Sequence, residues 1–510
     1  MQSQQASQQP VSQWLLGGLD RYEPFLPFLM TLGTIIAGSL AAYVVVNRPH
    51  LFHFEFTLRN MLGGLAGLVL VGLMLRDRTF ALVVLVLMVY LNLSEVLVRY
   101  YGLPSLLQLL AVPLLVRVWI DRRGAAPWQV SHEVLTWLLM AYTLVLFCTR
   151  LVAADEELAA EQISHNVKAT VIFFIVSWLA ATPRLIRTAT VTIVAAGSVV
   201  GGLAMLQALT DVEWVDNLVF MRVEQAHIVG DDFEARIGGP VGDPNFFGQI
   251  LVMIVPLVAC LLNQARTGWQ RCWILSGGVL IVGATVQTYS RGAAIALVVV
   301  IFLSALSFVP PKRKSLVVVV LVGGFFLLPQ NFVERVKTIR ELLPSGETET
   351  IRPDSSIQVR RLLNQVAWRQ FLGNPLIGVG VGSYSARFSE YSGEVSSAAR
   401  SYKDPGARRY PHSLYLEIAA ETGALGLTTF GLVLVACFAM LSGARRDLLA
   451  TGDPTTACFA RALQIALVAY LVTSLFLHGE FARYLWMVFG FASAVYRTST
   501  PGNVVGAVPR

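Results

Sequence analysis

The chain has 510 residues, of which 55% are hydrophobic and 14% charged, and its net charge is +7. A soluble domain carries about 25% charged residues, so this composition excludes an ordinary soluble enzyme. The apolar residues fall in separate runs of about 17–25, the length that crosses a bilayer as a helix. In such a chain a modest positive charge reports anchoring on the cytoplasmic side, so nucleic acid is not expected as a partner.

Met1–Gln13 is rich in Gln and Ser and lacks the basic start of a cleavable signal. The expectation is a short retained tail over 1–24. Fourteen spans are predicted: 25–46, 58–75, 80–98, 103–119, 133–151, 165–181, 185–209, 245–263, 272–289, 292–309, 315–331, 413–440, 462–480 and 482–496. With 103–119 and 165–181 the weakest, the fold class is an all-α polytopic bundle of 12–14 spans. Its organisation reads as a tail (1–24), spans 1–11 (25–331), a large loop (332–412), spans 12–14 (413–496) and a tail (497–510).

Lys and Arg in short loops set the orientation. Arg76/Arg78, Arg117/Arg122/Arg123, Arg184/Arg187, Arg266/Arg271, Lys312–Lys314, Arg445/Arg446 and Arg497 all fall on one side, which is expected to be cytoplasmic. Loops 152–164 and 210–244 are acidic and fall on the other side, although Arg48 in 47–57 fits this pattern less well. None of the five cysteines lies in a segment placed outside, and no C-x-x-C spacing occurs, which argues against a disulfide framework. The large loop also falls outside. Within it Ile357–Leu372 is amphipathic, able to lie on the membrane or to cap the bundle, and Gly373-Asn374-Pro375 stops it.

Several short stretches could carry chemistry. In Arg236-Ile-Gly-Gly-Pro-Val-Gly-Asp243-Pro-Asn245, the Gly and Pro residues set a turn and Asp243 or Asn245 caps the next helix. The other reading is a polar shelf with Arg236 binding an anion. In Tyr289-Ser290-Arg291-Gly292, Arg291 lies at a membrane edge, where it either snorkels to lipid phosphate or binds a substrate phosphate. Pro411-His412-Ser413-Leu-Tyr415-Leu-Glu417-Ile-Ala-Ala-Glu421 closes the loop and opens a span. His412 has the titration range of a general base, and Glu417 and Glu421 share one helix face. Gly378-Val-Gly-Val-Gly382 lacks the context of a dinucleotide fingerprint and reads as a backbone turn near the membrane surface. Asp155-Glu156-Glu157 reads as solvated carboxylates on a short outer loop, with a metal site as the less favoured reading.

Taken together, RIGGPVGDPNFFGQ (236–249), YSRGAAIAL (289–297), RRLLNQVAWRQFLGNPLIGVGVGSYSARF (360–388) and PHSLYLEIAAETGALGL (411–427) resemble the O-antigen ligase and O-antigen polymerase superfamily of bacterial membrane glycosyltransferases. The resemblance runs over roughly 235–440. It implies an all-helical enzyme of the inner membrane that works on the periplasmic face. The donor would be a glycan on undecaprenyl pyrophosphate, and the acceptor a glycan or a lipid-linked sugar. The implied mechanism is direct displacement with inversion, with no metal and no cofactor. Membrane lipids are the other expected partners, and further polysaccharide-assembly proteins fit the same setting.

By the same resemblance His412 corresponds to the family's loop histidine, Arg291 to its S-R-G arginine, and Arg236 to the arginine before the turn. Arg360 or Arg361 corresponds to its loop-helix arginine, and the choice between them stays open. His412, Arg291 and Glu421 thus form the expected catalytic set. Arg236, Asp243, Asn245, Arg360, Arg361 and Tyr415 form the expected substrate-binding set. Ser413 departs from the asparagine that many relatives carry beside the histidine. A transporter or flippase of lipid-linked glycans is the competing expectation, and a protein O-oligosaccharyltransferase is a variant of the first.

Overall fold

A computed structural model describes residues 58–101, 105–122, 133–209, 223–229, 232–313, 356–395, 408–479 and 482–499. The expected spans at 25–46 and 315–331, the expected tail over 1–24 and residues 500–510 of the other tail lie outside the described residues. Up to the first strand pair the helices are α1 (Leu58–Arg76), α2 (Arg78–Tyr90), α3 (Leu93–Tyr101), α4 (Leu106–Arg122), α5 (Val134–Thr149), α6 (Glu156–Leu179) and α7 (Pro183–Leu209). A hairpin of β1 (Val223–Val229) and β2 (Asp232–Ile237) follows, then α8 (Pro244–Gln264), α9 (Gly268–Gln287) and α10 (Arg291–Phe308). The loop contributes α11 (Ser356–Gly373) and α12 (Phe388–Val395), and α13 (Leu414–Ala450), α14 (Pro454–Thr473) and α15 (Ala482–Ser499) close the bundle. The protein is an all-α polytopic bundle. Among the described residues six helices are long and apolar enough to cross a membrane by themselves, and several shorter apolar helices accompany them.

Each remaining expected span coincides with a helix, with instructive differences. The span expected at 80–98 is two helices, because Asn92 adopts a left-handed φ of 52° and ends the first. The span expected at 165–181 begins at Glu156. The acidic run is therefore not a loop: Asp155 caps α6 by accepting from Leu158 N at 3.0 Å, and Glu156 and Glu157 sit in the first turn, where the helix dipole favours negative charge. The span expected at 462–480 runs instead over Pro454–Thr473, which leaves 474–479 as a non-helical connection. The hairpin in 210–244 was not expected. Its signal is present in the sequence, since two residues, Gly230-Asp231, separate the paired Val229 and Asp232.

Three arginines of the expected basic connections, Arg78, Arg117 and Arg497, satisfy carbonyls that helix ends leave open. Arg78 donates to the carbonyls of Trp178 and Leu179 at the end of α6, the latter at 3.0 Å. Arg117 reaches the Leu75 carbonyl at 2.6 Å. Arg497 donates to the Ser177 hydroxyl at 2.7 Å and pairs with the buried Glu133 at 3.5 Å. Cations at helix C-termini also complement the dipole.

The loop end of the bundle is organised by a break in α13. Gly423 has φ 64° and ψ −162°, so the helix stops and restarts there. The loop segment after α11 fills the gap with its own backbone. Val379 N donates to the Ala420 carbonyl at 2.8 Å, and Gly380 N to that of Glu421 at 3.0 Å. In return Ala424 N and Leu425 N donate to the Pro375 and Leu376 carbonyls at 2.8 and 3.1 Å. Gly378, Gly380 and Gly382 all take positive φ. At Gly380 the value is 99°, and a Cβ there would sit 2.5 Å from the Ala153 Cα. The Gly-Val-Gly-Val-Gly stretch is thus a turn wedged against a broken helix.

The stripe on α11 caps the bundle: Leu362, Leu363, Val366 and Ala367 pack on Tyr384, Phe388 and Ala420. Trp368, Leu372, Leu376 and Ile377 remain exposed beside it.

Gly380→Ala is expected to lose about 1–3 kcal/mol from backbone strain alone, and more from the clash with Ala153. Gly443 has open space around it within a helix, so Gly443→Ala should be neutral or gain about 1 kcal/mol. Thermal unfolding in detergent, followed by monodisperse size-exclusion signal, separates the two. Equal midpoints would refute the wedge.

Candidate functional site

Two turns meet at the loop end of the bundle. Asp243 caps α8 by accepting from Asn245 N at 2.7 Å and Phe246 N at 3.1 Å. Ser290 caps α10 by accepting from Ala293 N at 3.4 Å, which makes Arg291 the first residue of that helix. The two helix starts are close because Gly248 leaves no side chain between them: a Cβ there would sit 2.8 Å from the Ala293 Cβ and 3.1 Å from the Thr288 hydroxyl.

The buried Arg236, delivered by β2, bridges these turns. Its Nε donates to the Thr288 carbonyl at 3.0 Å and one terminal nitrogen donates to the Asn245 side-chain oxygen, also at 3.0 Å. These two contacts are both with neutral oxygens. Asn92 joins the cluster by donating to the Pro240 carbonyl at 2.9 Å, and Arg483 donates to Asn92 at 2.9 Å.

The loop brings Arg360 to the same place. It is half-buried and feels the Asp243 carboxylate, while burial pulls its guanidinium below its usual range. Arg361, its neighbour, is exposed. Of the two, Arg360 is the one that meets this cluster.

His412 completes the group. Part of the residue reaches the surface, but its Nδ1 is buried, with no hydrogen-bond partner among the described residues. Burial first, then the Arg360 guanidinium and His478, pull its pKa from 6.5 to about 3. The ring is neutral at pH 7 and has a lone pair to give.

His478 was missed by sequence reasoning, because its residue fell inside a predicted span. It lies on the 474–479 connection, stacked on Tyr410 (4.5 Å, 4° between planes) and met edge-on by Phe246 at 5.0 Å. A signal existed: His478-Gly479 interrupts an apolar run.

The glutamates do different work from the histidines. Both oxygens of Glu421 accept backbone N–H groups, from Gly382 at 2.9 Å and Tyr384 at 3.2 Å. Glu417 accepts from Gly479 N at 2.7 Å. Each carboxylate ties α13 to a loop. Tyr415 donates to the Leu471 carbonyl at 2.8 Å, and so holds α13 to α14. In this arrangement Glu421 and Tyr415 position backbone, in contrast to the catalytic and binding roles expected for them.

A cavity of about 210 Å³ opens beside this group, with His478, Tyr410, Glu417 and Glu421 in its wall. Its further lining includes Arg408 and Glu161, paired at 2.8 Å. The Glu161 carboxylate holds the Arg408 guanidinium above its usual range.

Residues 276–431 match the family model described as O-antigen ligase. The matched stretch takes in Arg291, Arg360, His412 and Glu421, and leaves Arg236, Asp243, Asn245 and His478 outside it. No curated protein matches the chain closely enough to serve as a relative.

The lowered value at His412 has a consequence for stability. The folded state prefers the neutral ring, so as pH falls the unfolded chain takes up the proton first, and stability drops between about pH 6.5 and pH 3. His412→Gln should lose less thermal stability than wild type over that window, measured as melting midpoint against pH in detergent. Parallel curves would remove His412 as a buried neutral base.

Proposed function

We propose that this member of the O-antigen ligase superfamily is a glycosyltransferase that moves a glycan from undecaprenyl pyrophosphate to an acceptor sugar hydroxyl, on the periplasmic face of the inner membrane. The observation that carries this reading is the meeting of Arg236, Arg360 and His412 at the loop end of the bundle, around capped helix starts. Fixed arginines suit a leaving group that gains charge as the bond breaks, and a neutral imidazole suits an acceptor hydroxyl that must lose a proton.

The roles divide as follows. The pyrophosphate lies against Arg236 and Arg291, with Arg360 reaching it from the loop. The acceptor oxygen attacks the anomeric carbon. The bond from that carbon to the pyrophosphate oxygen breaks, and its electron pair leaves with the pyrophosphate. The acceptor proton passes to His412. Burial is the main cause of the lowered value at His412, and a bound anion offsets only the smaller contributions of Arg360 and His478, so donor binding raises the basicity of the ring in part. Asp243 and Asn245 hold the helix start and Arg236 in place, and Glu421 holds the loop. Displacement on the opposite face of the sugar gives inversion, and no metal enters these steps.

Purified protein, donor lipid and acceptor, followed by mass spectrometry of the product, test the reaction. A glycan on the lipid A core identifies a ligase and a lengthened lipid-linked chain a polymerase, whereas a transporter makes no new glycosidic bond. His412→Ala and Arg291→Ala should each lower transfer by about 10²-fold or more while the protein still inserts and elutes as a single species. Arg360→Ala should cost at least about tenfold and the exposed Arg361→Ala much less. Near wild-type turnover for His412→Ala, or equal losses at 360 and 361, would overturn these assignments.

A further inference from the structure

The cavity beside His478 carries no excess of positive charge to hold a pyrophosphate. Three carboxylates, Glu161, Glu417 and Glu421, line it. Of the two arginines in the lining, Arg408 is paired with Glu161 and Arg409 lies over the Phe388 ring, 4.6 Å from its centre. The anion-suited arginines, Arg236 and Arg360, are instead grouped with Asn245 and Asp243, next to Phe246, whose ring meets His478 edge-on. His478 is thus shared: it lines the cavity and also acts on His412 beside Arg360.

That lining suits a neutral polyol. The buried part of the lining is aromatic: the Tyr142 ring lies 6.4 Å from Trp486 and 5.6 Å from Phe430, tilted by 47° in both pairs. Trp486 gives its N–H to the Thr170 hydroxyl at 3.2 Å, so what it offers a ligand is the apolar ring. Pockets that take a few placed polar groups on an aromatic and apolar wall are the ordinary form of a small-molecule site. The rim is polar, since Arg408 and Glu161 are each about half exposed (52% and 42%). At about 210 Å³ the cavity is smaller than the roughly 300–1,000 Å³ of pockets for drug-sized ligands, which limits it to the end of a glycan.

Resting on the transferase reading above, we propose that this cavity seats the terminal sugar of the acceptor, with its apolar face on Tyr142 and Trp486 and its hydroxyls on the Arg408–Glu161 pair. The wall at His478 then turns the reacting hydroxyl toward His412, with the donor pyrophosphate on the far side. Acceptor choice is set by this cavity and donor binding by the arginine cluster.

Two measurements test it on the full-length protein in nanodiscs. Leu158, half-buried in the lining, is replaced by Trp to fill the cavity. Leu158→Trp should raise the KM for acceptor about tenfold or more and leave the donor KM within about twofold. Glu161→Gln should raise the acceptor KM in the same direction by a smaller factor. A rise in donor KM alone, or no change in either constant, overturns the assignment. The second measurement needs no turnover. The saccharide released by mild acid from the cell's own surface polysaccharide is titrated calorimetrically into both proteins without donor. Binding to wild type that Leu158→Trp abolishes supports the subsite, even where transfer is absent and only the transferase reading fails. No binding to wild type, or equal binding to both, overturns it. Matching melting midpoints exclude misfolding as the cause.

Discussion

Inside a bilayer a backbone N–H or carbonyl with no partner costs several kcal/mol, and α13 is broken at Gly423. The break is tolerated only because residues 375–382 supply both donors and acceptors across it. Much of the loop end follows from this one exchange. It fixes the end of α11, which packs Leu362 and Val366 onto the helix beneath. It sets Gly382 and Tyr384 under the Glu421 carboxylate, and the Tyr384 hydroxyl in turn holds the Leu363 carbonyl at 2.8 Å. The register that brings Arg360 near Asp243 and His412 is therefore set by main-chain bonds, not by charge.

The glutamates show why an intramembrane carboxylate is ambiguous in a sequence. A carboxylate in an apolar helix is expensive and usually functional, and the spacing of Glu417 and Glu421 put both on one face. Their oxygens go largely to backbone amides of neighbouring loops. A group that accepts two N–H bonds is well suited to holding a turn and poorly placed to shuttle protons. The cost of burial is offset by these backbone hydrogen bonds, and the result is a loop pinned to the broken helix.

Hydropathy made the helices legible, because length and apolarity are local properties. Asp243 as a helix cap was legible, with Asn245 as its alternative, for the same reason: the cap is chosen within a few residues. Positions that depend on distant packing were not. His478 looked like part of a span, yet the connection it occupies is held by Leu414 N on the Ser474 carbonyl at 3.0 Å and by Glu417 on Gly479. Arg360 and Arg361 are equivalent in the sequence and differ only in which side of α11 meets the bundle. The acidic run at 155–157 was misplaced because hydropathy cannot see a helix that begins in water with a polar first turn.

Trp368, Leu372, Leu376 and Ile377 stay exposed beside the pinned loop, and Leu425 is exposed just past the break. An apolar shelf next to a polar cluster sets the depth at which the molecule floats, since lipid wets the shelf and headgroups meet the charges. A partner with a long hydrocarbon tail would then approach sideways, by diffusion in two dimensions, and never cross bulk water. Encounter would scale with the partner's mole fraction in the membrane, and diluting it with inert lipid or detergent would slow the protein at constant bulk concentration. The surrounding bilayer is in that sense a reactant reservoir whose composition enters the rate law.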